Sequence, residues 1–202
     1  MFRKCTVVII ALLMTVGMTQ AATWNFDKSH SSVGFSVRHM VISKTTGHFS
    51  DFEGVLDFSG EDFGAGKVEV TVQMASVDTD DEKRDGHLRT GDFFDVEKYP
   101  TMTFKSTKVS DTKDNAFQLT GILTIKDVSK EVIFDCEHHG TLTDPWGNTR
   151  AGFTAEAEIN RQDFNVSFSK LLDGGGMVVG DMVTVKLEIE AIQFVEQADA
   201  GK

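Results

Sequence analysis

The sequence predicts an all-β protein, an antiparallel β-barrel of about eight strands with one short helix or loop insertion. Three observations carry that expectation: apolar and polar residues alternate strictly over many stretches, turn residues separate the stretches, and no linker or repeat divides the chain. A period of two with one polar face marks half-buried antiparallel strands. Several stretches reach ten residues or more, a length that favours a tall barrel. A two-sheet sandwich is the alternative that the same pattern allows.

The chain opens with Arg3 and Lys4, a mostly apolar run from Cys5 to Met18, and then Thr19-Gln20-Ala21, ending in a small residue. This reads as a secretory signal peptide over residues 1–21, cleaved after Ala21. The run is shorter than the ~20 apolar residues needed to span a bilayer. Residues 22–202 then form a single secreted domain. Its core is large enough to fold alone. Cys136 is the one cysteine left after cleavage, so no internal disulfide is expected; the thiol reads as a small buried apolar group.

Strands are expected over 31–40 and 45–58, and again where Val68, Val70, Val72 and Met74 alternate with Glu69, Thr71 and Gln73. The stretch from Asp81 to Phe94 breaks the alternation and reads as a short helix or ordered loop, capped by Asp80 or Asp81. Strands resume over 101–109. Phe117, Leu119, Gly121, Leu123 and Ile125 share one face of the next, and Val132, Phe134 and Cys136 share a face of the one after. A strand over 150–160 follows, and the last carries Val183, Val185, Leu187, Ile189 and Ala191 opposite Thr184, Lys186, Glu188 and Glu190. Turn signals lie at Gly64-Ala65-Gly66, Asp114-Asn115, Asp144-Pro145-Trp146-Gly147-Asn148 and Gly174-Gly175-Gly176.

Composition narrows the function. The chain carries 31 acidic and 20 basic side chains, and loss of Arg3 and Lys4 leaves 18 basic against 31 acidic, a net charge of −13. Such a surface repels phosphate backbones, so nucleic acid is not an expected partner. Sixteen phenylalanines stand against one tyrosine and two tryptophans. Phenylalanine needs no hydrogen-bond partner when buried, so an interior rich in it suits an equally apolar ligand.

Catalytic and metal chemistry find little support. Ser29-His30-Ser31 lacks an orienting acid, and Gly174-Gly175-Gly176 lacks the lysine and helix of a phosphate loop. The histidines at 30, 39, 48, 87, 138 and 139 show no metal-ligand spacing on one face. No catalytic residue, metal or cofactor is expected.

His39 continues the face of Val33, Phe35 and Val37, and Arg161 that of Phe153, Ala155, Ala157 and Ile159. Both should sit at an end of the lumen, either recognising a headgroup or paired structurally.

Further residues match a family. His30-Ser31 with Phe35 and His39, then Gly47, Phe49, Phe52 and Gly54, resemble the opening of the YceI-like family of lipocalin-like polyisoprenoid-binding proteins. Ser76-Val77-Asp78-Thr79, Arg84-Asp85-Gly86-His87-Leu88-Arg89, Asp92-Phe93-Phe94-Asp95, Tyr99-Pro100, Asp144-Pro145-Trp146-Gly147 and Val179-Gly180-Asp181 continue the resemblance in the same order. Asn165 and Lys126-Asp127-Val128 stand where that family often has glycine.

The resemblance implies an extended lipocalin-like barrel, periplasmic and homodimeric, whose lumen holds a polyprenyl or isoprenoid-quinone lipid as cargo. On that basis the expected lining is Phe35, Phe49, Phe52, Phe104, Phe117, Leu119, Leu123, Phe134 and Phe153. The expected mouth is His39, Arg84, His87, Arg89 and Arg161. The Arg84–Arg89 segment would be a lid, or else an internally paired loop. A lipid carrier leads, followed by a stress-linked structural protein with a side-chain-filled barrel, and then a lipid-modifying enzyme.

Overall fold

The computed structural model describes residues 22–59, 62–173 and 175–194. The expected signal peptide lies outside them. Eleven strand segments form one antiparallel sheet that closes on itself. They are β1 (Ala22–Phe26), β2 (Ser32–His39), β3 (Ser43–Phe49), β4 (Phe52–Ser59), β5 (Asp62–Gln73), β6 (Val77–Asp78), β7 (Thr101–Lys113), β8 (Ala116–Ile125), β9 (Val128–Thr143), β10 (Thr149–Asn160) and β11 (Val179–Gln193).

The eleven segments make eight staves, because three staves are broken in the middle. β1 and β2 both pair with β11, through Trp24↔Gln193 to Phe26↔Ala191 and through Ser32↔Glu188 to His39↔Val179. They are two halves of one stave, interrupted at 27–31. β4 pairs with β1 and β5, and β3 pairs with β2 and β6, so these also continue each other. The expected strand over 45–58 is therefore broken at Ser50-Asp51.

The three breaks lie side by side and bond to one another. Ser50 donates its N–H to the Ser76 carbonyl (3.1 Å), and Asp51 donates its N–H to Ser76 Oγ (3.0 Å). Lys28 Nζ reaches Asp51 at 2.8 Å. Backbone groups that leave the ladder are thus paired within the kink. Ring closure through β11 leaves a barrel, not the two-sheet sandwich.

Beyond the kink the wall is incomplete. β6 pairs with β3 only at Val77 and Asp78, and β7 begins at Thr101, opposite Gln73 of β5. Residues 79–100 fill the gap and carry α1 (Glu82–Leu88). Asp81 caps that helix by accepting the N–H groups of Lys83 and Arg84 at 3.0 Å. Buried Asp85 accepts both the N–H and the hydroxyl of Thr79, which pins the helix to the end of β6.

Alternation holds on the inward faces. Leu119, Leu123, Ile125, Val132, Phe134, Cys136, Ala157 and Ile159 form one buried cluster with Phe104, Phe93 and Phe164. A second gathers Val33, Phe49, Phe52, Val72, Met74 and Val77 at the kink. At the far end Trp24 stacks on Phe58, with ring centroids 4.7 Å apart, beside Leu56, Ala151 and Ala191.

Candidate ligand-binding cavity

Inward alternation from all eight staves leaves a cavity of about 490 Å³ along the barrel. Phe35, Phe49, Phe104, Phe117, Leu119, Leu123, Phe134 and Phe153 line it. Phe52, the remaining residue expected there, is buried in the kink cluster and lies outside the lining. Val68, Val70 and Val72 of β5 and Val183, Val185, Leu187 and Ile189 of β11 complete the wall. Their alternation was readable, and it could have placed them there. Phe26, Met102, Phe93, Phe94 and Phe168 also line the cavity; Phe93, Phe94 and Phe168 sit in irregular segments where period two gives no signal.

Glycines create room for several of these rings. A Cβ on Gly47 would lie 2.6 Å from Phe35 Cζ, and one on Gly54 would lie 2.3 Å from Phe26 Cε2. On Gly121 it would meet Phe104 Cζ at 2.3 Å and the Lys105 carbonyl oxygen at 2.6 Å. Each ring beds on the bare backbone of a nearby strand instead of projecting across the lumen.

Polar groups gather at the end where α1 sits. His39, Arg84, His87 and Arg161 line the cavity there, joined by Arg38, Thr45 and Thr79. Arg161 is buried and fully engaged. It donates to the carbonyls of Gly180 (2.8 Å), Val166 (2.6 Å) and Val179 (3.3 Å) and to Asp181 at 3.0 Å. Burial pushes its pKa down, and Asp181 works against that shift.

Arg84 donates to Thr79 Oγ1 at 2.7 Å and to the Thr79 carbonyl at 2.6 Å. His87 approaches Asp92 at 2.9 Å and makes T-shaped contacts with Phe93 and Phe168, with ring centroids 5.1 and 5.0 Å apart. Arg89 lies outside the lining. It donates to the carbonyls of Ala75 and Val77 at 2.8 Å and so ties α1 to the kink. Of the expected mouth, three side chains are held by internal partners while facing the lumen.

Outside the barrel, Ser29 Oγ and Asp27 Oδ2 both approach Nδ1 of His30 at 3.0 Å. A serine relay needs the acid and the hydroxyl on opposite ring nitrogens, so this trio is a turn and not a relay. Asp27, His30 and Glu190 converge closely enough to share a cation. The guanidinium of Arg150 already supplies that charge, bonding to Asp27 at 2.8 Å and to Glu190. Hydrogen bonds from Ser29, then His30 and Arg150, hold the Asp27 carboxyl far below the usual carboxylate range.

The YceI-like domain matches residues 24–191. A UPF0312 protein of Pectobacterium atrosepticum is 41% identical over 160 residues, covering 78% of this chain and 83% of that protein. Protein YceI of Salmonella newport is 40% identical over 161 residues, covering 79% and 84%. Among solved structures, Burkholderia cenocepacia BcnA superposes with a TM-score of 0.72 at 25% identity, covering 82% of this chain and 98% of that one. The Campylobacter jejuni YceI protein superposes with a TM-score of 0.68 at 35% identity, covering 84% and 96%. A polyisoprenoid binding domain from Saccharophagus degradans, 14% identical, shares the fold with a TM-score of 0.63 and coverage of 86% and 99%. Matched from Trp24 to Ala191 and aligned with named YceI proteins at 40% identity, the chain belongs to the YceI-like family.

Proposed function

We infer that this chain binds a long polyisoprenoid lipid, of polyprenyl or isoprenoid-quinone type, inside its barrel and holds it as cargo in the periplasm. The observation that carries this reading is the cavity of about 490 Å³, walled by phenylalanine, leucine and valine, with His39, Arg84, His87 and Arg161 at one end. The polyisoprenoid binding domain that shares the fold adds support for the ligand class.

The energetics suit such a ligand. Burying apolar carbon contributes about 0.8 kcal/mol per methylene, so one isoprene unit supplies at most ~4 kcal/mol. A few units approach the ceiling of non-covalent affinity before the cost of ordering the chain is subtracted. Tail burial therefore provides the affinity. Selectivity is left to the bends imposed by the rings and to the polar end. Held as cargo, such a lipid is transported, stored or sequestered.

The test is native mass spectrometry of the mature protein from its own cell envelope, with extraction of whatever dissociates. A stoichiometric polyprenyl or quinone species is expected. Ala155→Phe, which adds a ring within the cavity, should reduce the bound fraction severalfold while the protein stays folded. A bare mass with no uptake of added isoprenoids would overturn the reading.

A further inference from the structure

We propose that the barrel end bearing Met40, Val41, Ile42 and Leu171 docks on an anionic lipid bilayer, so that cargo passes between membrane and lumen without crossing water. These side chains form two adjacent turns and are widely exposed: Ile42 is 87% exposed, Leu171 71% and Val41 58%. The β2–β3 turn and the 170–178 hairpin are joined, since Met40 donates its N–H to the Val178 carbonyl at 2.9 Å. Gly176 passes so close to Val41 that a Cβ there would lie 2.9 Å from Val41 Cγ2. The four side chains thus belong to one rim.

The same two segments line the cavity. Arg38, His39, Phe168, Val178 and Val179 face it, so the rim is continuous with the polar end of the lumen. A water-facing turn is normally built from Asn, Asp or Gly, which also accept left-handed backbone. Here Met40 and Val41 occupy that region, at φ 49° and 68°. A β-branched residue is strained there, and apolar side chains are presented at the tip all the same.

Charge selects the occupant. Segments 38–44 and 168–178 carry Arg38, Lys44 and Lys170 against one acid, Asp173, on a chain whose net charge is −11. Apolar tips flanked by Arg38, Lys44 and Lys170 match the boundary between acyl chains and anionic headgroups. A second copy of the chain would bring the same cations against themselves.

The purpose of the docking rests on the lipid-carrier reading; its geometry does not. The experiment is flotation of the mature protein with vesicles of phosphatidylethanolamine and a minority of phosphatidylglycerol, with polyprenol loading from detergent measured separately. Wild type should float, and Ile42→Asp combined with Leu171→Asp should lower vesicle partitioning about tenfold while polyprenol loading is unchanged. High salt should weaken flotation of the wild type. A wild type that stays with the aqueous phase, or a double variant that floats equally well, overturns the proposal. So does a dimer, seen by light scattering and lost in the double variant, without vesicle binding. Flotation with no polyprenol loading upholds the docking while sinking the lumen reading.

Discussion

Cys136 shows how much a single lumen position settles. It faces the cavity from β9, is 8% exposed, and its thiol pKa is pushed up to about 12, chiefly by burial. A group raised in the folded state contributes stability below its unfolded pKa of ~8.5, and that contribution is lost as pH rises toward 12. At pH 8 the native thiol should stay unmodified by a charged disulfide reagent for as long as the barrel stays closed. The denatured chain should react at once. Rapid modification of the native protein would mean that water reaches the middle of the lumen. Cys136 was legible in the sequence because it continues the Val132–Phe134 face. Phe52 shows where that logic stops. Parity places it inside the sheet, but it cannot distinguish a ring facing a cavity from one packed under a kink, and the kink depends on hydrogen bonds from Ser50 and Asp51 to Ser76. Arg89 escaped for a related reason, since it follows a helix whose exit angle is set by its own bonds to Ala75 and Val77.

Among the elements, the hairpin of β7 and β8 depends on Gly121. Phe104 could yield to an added methyl, but the Lys105 carbonyl oxygen 2.6 Å away belongs to the paired backbone and cannot. Gly121→Ala should therefore cost about 1–3 kcal/mol in urea unfolding, as overpacking does. Gly152→Ala, whose nearest neighbour is His139 Cβ at 3.7 Å, should cost much less. Equal losses at the two positions would show that backbone freedom, and not the clash with the Lys105 carbonyl, is what matters. The long strands were readable from alternation and turn residues, and α1 from its Asp cap. The breaks in three staves were not, because each half keeps a valid period of two and only the partner strand reveals the interruption.

At the level of the whole molecule, charges lock the closed ring from outside. Arg150 on β10 joins Asp144 in the β9–β10 turn (2.7 Å), Asp27 in the β1–β2 break (2.8 Å) and Glu190 on β11. Asp144 is held below the usual carboxylate range, with hydrogen bonds from Asn148 and Arg150 overcoming its burial, and Asp27 is held low as well. A depressed carboxylate stabilises the fold above its unfolded pKa of ~4, and the contribution disappears as pH falls through the depressed value. Arg150→Ala should therefore melt earlier than wild type at neutral pH. That gap should persist to about pH 4 and narrow only below it. A gap that closes by pH 6 would show that these carboxylates do not carry the clasp. The all-β class was evident from alternation, and strand length favoured a barrel over a sandwich. The clasp was not, because Asp27 and Glu190 lie far from Arg150 in the chain and meet it only in the folded barrel.

That closure runs through β11, which pairs with β1, β2 and β10 at once. The first stave therefore waits for the last, and pairings of such long sequence separation make folding slow and late. Before β11 arrives there is no wall on that side and no enclosed space. The lumen is enclosed only once β11 is in place, so a chain lacking β11 has no closed pocket in which to hold a lipid.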